Sequence, residues 1–321
     1  MGVATIDYIR NYYVDEFETS QIEYEPITVC TPMYNSTPFL KAYLTHVLCY
    51  DWPRDLTSLM FTVQGDDATY DVIRGFFAKY GDEYRRTKVK RVKQYRGGEL
   101  PHVRNVVMCR NLLTGWSKPD KYVFFNDHDN FSPPVCIKRL MRGIQLGADG
   151  AAGVYLFYQR NEDEDAGHIG FTAFFMADYK MHHYSLNSSG RSGTVPTEML
   201  GRRLWCDAVA MGSFLVKREL LDAVPFFVPY GTTMTDDTAL CLKAREKGYR
   251  FMADFGLFVQ HWGYNIRMTH KPPLTYIEVN AERPMTLRRE KMKRDGIYVH
   301  PRHDVGLNEA ARKYIDLDKI K

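Results

Sequence analysis

The chain has 321 residues, of which 45% are hydrophobic, so it is long enough to bury a substantial core. It carries 43 Lys and Arg residues against 39 Asp and Glu residues, and the resulting formal charge of +4 indicates no general preference for nucleic acid or membrane surfaces. The 6 cysteines are scattered without a CxxC pair, which argues against a zinc knuckle and against a disulfide scaffold.

The chain begins with a mixture of acidic and aromatic residues, 1–25, which we predict to be an N-terminal extension. This segment lacks the basic region and following apolar region of a signal peptide. No stretch of about 18 apolar residues occurs anywhere in the sequence. We therefore expect a cytoplasmic protein with no transmembrane segment.

The first half of the chain alternates between short apolar, β-branched runs and amphipathic segments of helical period. The predicted strands are 26–31, 58–63, 87–95 and 121–125. The predicted helices are 38–49, 70–80, 105–116 and 132–147. This alternation predicts an α/β fold of the Rossmann-like kind, with a mostly parallel central sheet and helices on both faces.

The second half of the chain is less regular. Its predicted strands are 151–160, 170–177, 207–216 and 255–263, and a capped helix is predicted at 235–248. Residues 185–203 are polar and rich in Gly and Ser, which predicts either a lid or a disordered loop. The remaining residues, 264–321, are basic and contain prolines, so we predict one main domain over 26–263 and a C-terminal appendage after it.

Two aspartates follow the predicted central strand in the segment YVFFNDHDN, 122–130. In a parallel sheet, ligands bind at the carboxyl ends of the strands. Side chains two residues apart in an extended segment point the same way, so Asp127 and Asp129 can approach one ion while His128 points elsewhere. Adjacent carboxylates repel each other and suit a hard divalent cation completed by substrate phosphates. The alternative is a solvated turn, since Asp and Asn are common after strands.

The ends of the first two predicted strands are also polar. Asp66 and Asp67 follow the second strand, where either carboxylate could accept hydrogen bonds from a nucleobase or ribose. The segment TPMYN closes the first strand and could line the same pocket through Thr31, Pro32, Tyr34 and Asn35.

Two further acids and a histidine lie late in the chain. Asp236 and Asp237 begin a helix for which Thr235 is the predicted N-cap, and the helix dipole alone would explain both acids. His261 lies at the end of an apolar strand, where a packed core histidine is more common than a metal ligand.

As an ordered set, several of these segments resemble the GT-A glycosyltransferases, especially the family-two type with nucleotide-diphospho-sugar donors. The matching segments are TPMYN, DDATYD, CRNLL, NDHD, MGSFLVKRELLDAVPFF and TDDTALCLKAREKGYRFMAD. The run from RNLLTGW to the paired aspartates is also similar to the Anp1-type mannosyltransferases. The resemblance covers residues 26–263.

The chain departs from the family pattern in three places. Ala68 stands where a glycine is usual, and Asp236–Asp237 replaces the usual Glu-Asp pair. The QxxRW helix of processive polysaccharide synthases is absent, which favours a single-transfer enzyme over a membrane polymerase.

The resemblance implies that Asp127 and Asp129 hold Mn²⁺ or Mg²⁺ against the diphosphate of a UDP- or GDP-linked sugar. It implies His261 as a third ligand, and an imidazole ligand favours Mn²⁺ over Mg²⁺. It also places Asp127 with Arg110 and Asp236 among the residues that bind the donor.

The resemblance further implies that Asp237 is the catalytic base, which takes the proton of an acceptor hydroxyl in an inverting reaction. A helix N-terminus should lower the pKa of Asp237 and so weaken it as a base. The acceptor is expected to be a carbohydrate or another hydroxyl-bearing molecule. A retaining reaction without such a base stays open.

Two other functions are alternatives to glycosyl transfer. A sugar-phosphate nucleotidyltransferase needs a Gly-rich, basic loop after the first strand, which TPMYNSTP lacks. A non-catalytic sugar-binding module would not need to retain Asp127, Asp129, Asp237 and His261 together.

A basic run around the third predicted strand has two interpretations. Its members are Arg85, Arg86, Lys88, Lys90, Arg91, Lys93 and Arg96. The run could bind a polyanionic acceptor such as nucleic acid. We favour the alternative, an exposed edge strand that its charges protect against pairing with another chain.

Overall fold

A computed structural model of the protein describes residues 22–97, 100–160, 167–177, 180–185, 187–189, 192–196, 199–231, 234–261, 264–271 and 274–281. Most of the predicted N-terminal extension and the last part of the predicted appendage, 282–321, lie outside these residues.

The described residues form six helices and eighteen strands. The helices are α1 (Thr37–Leu48), α2 (Thr69–Tyr80), α3 (Pro101–Trp116), α4 (Cys136–Gln145), α5 (Arg218–Ala223) and α6 (Asp236–Arg245). The strands are β1 (Ile27–Tyr34), β2 (Thr57–Gln64), β3 (Arg86–Arg91), β4 (Tyr122–Asn126), β5 (Asn130–Phe131), β6 (Gly150–Val154), β7 (Leu156–Arg160), β8 (Gly167–Ala177), β9 (Lys180–Ser185), β10 (Asn187–Ser189), β11 (Ser192–Pro196), β12 (Arg203–Cys206), β13 (Ala208–Val209), β14 (Ser213–Lys217), β15 (Phe251–Phe258), β16 (Gln260–His261), β17 (Tyr264–Lys271) and β18 (Leu274–Ala281).

The central sheet has eight strands in the order β12-β15-β6-β14-β4-β1-β2-β3. The pairs β4-β1, β1-β2, β2-β3 and β15-β6 are parallel. Strand β14 runs antiparallel to both of its neighbours, and β12 runs antiparallel to β15. The predicted α/β class with a mostly parallel central sheet is confirmed.

Helices cover both faces of this sheet, which explains why inner strands can be buried along their whole length. Every residue of β2 and β15 is buried, as expected for strands with a helix layer on each side. One core cluster contains apolar residues of α3, α5 and α6, and the other contains those of α1, α2 and α4.

An acid anchors the amino-terminal edge of the sheet. Asp120 precedes β4, is 2% exposed, and accepts hydrogen bonds from the hydroxyls of Thr28 and Ser58. It also forms ion pairs with Arg85 and Arg86. Burial alone would raise the pKa of Asp120, but the hydrogen bonds from Thr28 and Arg86 outweigh it and hold the pKa below its usual value.

The middle of the basic run, from Arg86 to Arg91, forms β3, which is an edge strand of the central sheet. Two of its cations lie over aromatic rings, with Lys88 Nζ 4.2 Å from the ring centre of Trp116 and the Arg91 guanidinium 5.0 Å from that of Tyr70. Charged side chains on such a strand resist pairing with another sheet.

The prediction of a loop over 185–203 was wrong for the residues that the structure describes. Strands β10 and β11 lie in this segment and form a four-stranded sheet with β17 and β18, in the order β10-β11-β18-β17. Pairing with distant strands can make a polar, Gly/Ser-rich sequence extended, because strand formation depends strongly on context.

Within the described ranges, no helix combines the length and the apolar character that crossing a bilayer requires.

Candidate active site

A cleft of about 740 Å³ lies at the carboxyl-terminal edge of the parallel strands. Its walls come from the ends of β1, β2 and β4, from one side of α3, and from the first residues of α6. Pro32 and Tyr34 line it, as do Arg110, Asp127, Asp129, Asp236 and Asp237. Residues far apart in sequence therefore meet in one cleft.

Asp127 and Asp129 lie on a turn that joins β4 to β5. The backbone N–H of Asp127 donates to the carbonyl of Gly212 at 3.1 Å, and the N–H of Asn130 donates to the carbonyl of Asp127 at 3.0 Å. His128 also lines the cleft, but its ring stacks on Phe39 with ring centres 5.0 Å apart, and its Nδ1 lies 2.9 Å from the carbonyl of Pro32. Its imidazole therefore contacts α1 and β1, away from the carboxylate of Asp129, although residues 127–129 form a turn and not an extended strand.

His261 reaches this turn through a short antiparallel pairing. Strand β16 pairs with β5 so that His261 lies opposite Asn130. Its Nε2 is 3.7 Å from Oδ2 of Asp129, and the Asn130 side chain donates to Oδ1 of Asp129 at 3.3 Å. Burial alone would raise the pKa of Asp129, but the interaction with His261 and the charge of His128 outweigh it and lower the pKa. Asp129 is therefore a firmly ionised carboxylate.

Arg110 is the buried cation of the cluster and is 4% exposed. Its Nη1 donates to Oδ2 of Asp236 at 2.8 Å, and its Nη2 lies 3.3 Å from Oδ2 and 3.4 Å from Oδ1 of Asp127. Burial alone would lower the pKa of Arg110, but the charges of Asp236 and Asp127 outweigh it and raise the pKa. Arg110 thus joins the turn after β4 to the start of α6.

Asp237 lies in the first turn of α6. One of its oxygens accepts hydrogen bonds from the Thr235 hydroxyl and, at 2.8 Å, from the N–H of Thr238. Burial, followed by the charge of Asp236, raises the pKa of Asp237 above its ordinary value, despite the opposing charge of Arg110. This direction is opposite to the one expected from the helix dipole alone, and it makes Asp237 a stronger base than an exposed carboxylate.

Thr31 and Asn35, both predicted to bind the donor, are engaged by the protein itself. Thr31 is fully buried, and its hydroxyl contacts that of Tyr43. Asn35 has a φ of 45°, and its side chain accepts a hydrogen bond from the N–H of Asp66 at 3.2 Å. A Cβ at Gly65 would lie 2.0 Å from the Asn35 Oδ1, so this turn requires glycine.

Asp66 and Asp67 also differ in their surroundings. The Asp66 side chain is 94% exposed and lies 3.7 Å from Nη2 of Arg96. Asp67 accepts hydrogen bonds from the N–H and hydroxyl of Thr37 at 3.0 and 2.8 Å. Burial would raise the pKa of Asp67, but hydrogen bonds from Thr69 and Thr37 outweigh it and lower the pKa. Asp67 therefore accepts hydrogen bonds from the first residues of both α1 and α2.

A cluster of amide side chains that was not predicted from the sequence lines another wall of the cleft. The Gln64 side chain donates to Oδ1 of Asn105 at 3.1 Å. Asn105 also bonds both the N–H and the carbonyl of Tyr95, at 2.7 and 2.9 Å, and so fixes this 41%-exposed tyrosine at the rim of the cleft. The one signal in the sequence was the amide of Gln64, the last residue of β2, at the carboxyl end of a strand where ligands bind.

Tyr155 was not predicted from the sequence either. The Tyr155 ring centre lies 5.4 Å from that of His261. A Cβ at Gly212 would lie 2.5 Å from Nδ2 of Asn130 and 2.9 Å from Cε1 of Tyr155, so only glycine fits between them. Tyr155 directly follows β6, at the carboxyl end of a strand, which is the signal that could have found it.

The candidate ligand atoms are of the types that Mn²⁺ binds, but not all of them lie close together. Across the described residues, no three His, Cys, Asp or Glu side chains are close enough together to hold a metal ion. Asp129 and His261 offer an oxygen and a nitrogen 3.7 Å apart, a combination that Mn²⁺ accepts. Asp127 lies in the same cleft, but its carboxylate faces Arg110.

No protein-family model matches the chain, and no curated protein matches it in sequence. Among solved structures, it is similar to the mannosyltransferase PcManGT from Pyrobaculum calidifontis in complex with GDP-Man and Mn²⁺, with 15% identity, a TM-score of 0.49, and coverage of 78% of this chain and 63% of that one. It is also similar to S. aureus TarS 1-349 in complex with UDP, with 16% identity, a TM-score of 0.43, and coverage of 71% and 57%. The chain spans less than two thirds of the length of either protein. These structural neighbours are GT-A-like glycosyltransferases.

Proposed function

We propose that the protein is a metal-dependent glycosyltransferase that moves a sugar from a nucleotide-diphospho-sugar to an acceptor hydroxyl with inversion. One observation carries the proposal. Asp127, Asp129 and Asp237 line one cleft at the carboxyl edge of the parallel strands, and His261 lies beside Asp129. The volume of the cleft, about 740 Å³, is that of a pocket for a ligand of nucleotide size.

Asp129 and His261 are the residues that would hold the cation, with Asp127 as a further oxygen ligand. Asp129 suits this role because its pKa is lowered, so it stays ionised. A bound Mn²⁺ would supply Lewis-acid chemistry, neutralising charge that develops on the departing diphosphate. Arg110 would add a fixed positive charge to the same side of the cleft.

Asp237 would be the general base. Its raised pKa brings it closer to the operating pH, where a base transfers protons most effectively. Asp237 would take the proton of the acceptor hydroxyl as that oxygen forms a bond to the anomeric carbon. The bond from the anomeric carbon to the diphosphate breaks at the same time, and the nucleoside diphosphate leaves. Attack opposite the leaving group inverts the anomeric configuration.

The nucleoside would lie in the cleft against the wall formed by Gln64, Asn105 and Tyr95. The Gln64 amide donates one hydrogen bond to Asn105 and keeps a carbonyl oxygen and a second N–H, which suit the hydrogen-bonding edge of a base such as uracil or guanine. The exposed ring of Tyr95 offers a face for stacking. The donor is accordingly UDP- or GDP-linked, and the acceptor is a carbohydrate or another molecule with a free hydroxyl.

The direct test is to incubate the protein with Mn²⁺ and a panel of UDP- and GDP-sugars, and to measure the nucleoside diphosphate released. Asp129→Asn should abolish release and also remove the rise in melting temperature that Mn²⁺ and the nucleoside diphosphate produce together. Asp71→Asn is the matched control, since the Asp71 side chain is 72% exposed on α2, and it should change neither measurement.

Several results would refute the proposal. Failure of every nucleotide sugar to react or to stabilise the protein would favour a non-catalytic module. Stabilisation by a nucleoside triphosphate, with release of pyrophosphate from a sugar phosphate, would favour a nucleotidyltransferase. Retention of the anomeric configuration in the product, measured by NMR, would exclude the role of Asp237 as the base of an inverting reaction.

A further inference from the structure

Arg110 contacts two carboxylates of the candidate site, and these two contacts are unequal. The bond from Nη1 to Asp236 is 2.8 Å long, within the range of a charge-assisted hydrogen bond, about 2.7–2.9 Å. The contacts from Nη2 to the two oxygens of Asp127 are longer, at 3.3 and 3.4 Å. The Asp127 side chain is 24% exposed, against 9% for Asp236. Asp127 is therefore the more loosely held partner and the one that faces the cleft.

The same arrangement explains why the proposed cation site is incomplete. Asp129 and His261 already lie together at 3.7 Å. Asp127 is the carboxylate that is missing from this group, because it is turned toward Arg110. Two of the three proposed ligands, Asp129 and His261, are thus already close together. The third, Asp127, can join them only if it leaves Arg110.

If Asp127 leaves, Arg110 is left with a buried donor. Its Nε is already buried without a hydrogen-bond partner among the described residues, and a second unpaired N–H would be costly. The bond from Nη1 to Asp236 keeps the guanidinium in place, so the freed Nη2 still faces the cleft. Diphosphate oxygens are the acceptors that a guanidinium fork binds well.

We propose that Arg110 exchanges partners when the donor binds: Asp127 turns from Arg110 to the cation, and Nη2 of Arg110 binds the diphosphate in its place. Arg110 then acts as a positioning residue in the ligand-free protein and as a diphosphate ligand in the complex. This inference rests on the proposed function and specifies how the site recognises a diphosphate rather than a cation alone.

The exchange predicts that replacing Arg110 raises the affinity for Mn²⁺ alone and lowers the affinity for the nucleoside diphosphate. Both affinities can be measured by calorimetry. In Arg110→Met, Mn²⁺ alone should bind about 3- to 10-fold more tightly, because Asp127 is free and one nearby positive charge is gone. The nucleoside diphosphate, UDP or GDP, should bind about 10- to 100-fold more weakly in saturating Mn²⁺, because a charged hydrogen bond is lost.

Arg110→Lys keeps the charge and protects the test against misfolding. A single ammonium group cannot span Asp127 and Asp236, so it should stay with the more buried Asp236 and release Asp127. This variant should show the same two signs, with a smaller loss for the nucleoside diphosphate. Arg139→Met is the matched control. Arg139 is also buried, at 2% exposed, and it is bonded to an acid, Asp254, outside the cleft lining, so this variant should lose stability and keep both affinities.

Failure of the partner exchange at Arg110 and failure of the proposed glycosyltransferase function would give different results. Parallel loss of both affinities in the two Arg110 variants, or an unchanged affinity for Mn²⁺, would overturn the exchange while the glycosyltransferase proposal stands. A wild-type protein that binds neither Mn²⁺ nor a nucleoside diphosphate would overturn both.

Discussion

Gly212 offers a sharp test of how closely the candidate site is packed. Its carbonyl accepts the N–H of Asp127, and an added Cβ would lie 2.5 Å from Nδ2 of Asn130. The Asn130 amide in turn donates to Asp129, and its backbone pairs with His261. Gly212→Ala should therefore displace the residues that would hold the cation without changing any of them.

The size of the effect follows from the overlap. Ordinary contact begins at about 3.4 Å, so Asn130 or the Gly212 backbone must move by roughly 1 Å. Overpacking of this kind costs about 1–3 kcal/mol. For a domain of this size, that corresponds to a fall in melting temperature of about 2–6 °C. Mn²⁺ affinity should fall by about 10- to 100-fold, as when groups that orient metal ligands are removed.

Melting temperature by scanning calorimetry and Mn²⁺ affinity by titration together test this prediction. Gly115→Ala is the matched control, because a Cβ at this exposed position of α3 would meet nothing within 4 Å. It should raise stability by about 0.5–1 kcal/mol, since alanine favours a helix, and leave Mn²⁺ affinity unchanged. A Gly212→Ala protein that melts and binds Mn²⁺ like the wild type would refute the reasoning.

Three other substitutions test the charges of the molecule. Asp237→Asn should lower sugar transfer by about 10²- to 10⁴-fold. It should also raise the melting temperature at pH 7, because the raised pKa means that the ionised Asp237, beside Asp236, opposes folding above about pH 3.9. His261→Ala should weaken Mn²⁺ binding by about 10- to 100-fold, measured by titration, since it removes a ligand and the main group that offsets the burial of Asp129. Asp120→Asn should destabilise the fold by about 2–4 kcal/mol in urea unfolding without changing Mn²⁺ affinity. Because the pKa of Asp120 is lowered by folding, the wild type should lose this advantage as the pH falls below about 3.9, and a gap that persists at lower pH would contradict the assignment.

The sequence was sufficient for the parallel half of the fold because its signals are local. Apolar runs of strand length, separated by amphipathic helices, predicted β1, β2, β3 and β4. The boundaries of β2 and β4 lie within one residue of those observed, whereas the predicted first strand ended three residues too early and the third ended four residues too late. The rule that ligands bind at the carboxyl ends of such strands then located the cleft, and with it Asp127 and Asp129.

What the sequence could not provide depends on pairing between distant residues. The contact between Arg110 and Asp236 joins residues on α3 and α6, and no local pattern encodes it. The raised pKa of Asp237 arises from burial, which the helix-dipole argument ignores. Strands β10 and β11 form because β18 pairs with them, although their own composition is that of a loop.

An aspartate lies near each end of β4, Asp120 two residues before it and Asp127 directly after it, and folding shifts the pKa values of the two in opposite directions. Asp120 is saturated with donors and its pKa is lowered, whereas the pKa of Asp127 is raised by burial despite the charge of Arg110. A strand of this length separates them by roughly 20 Å. The hydrogen bonds and ion pairs of Asp120 are thus well separated from the cleft, so stabilising changes around Asp120 should leave the candidate site around Asp127 undisturbed.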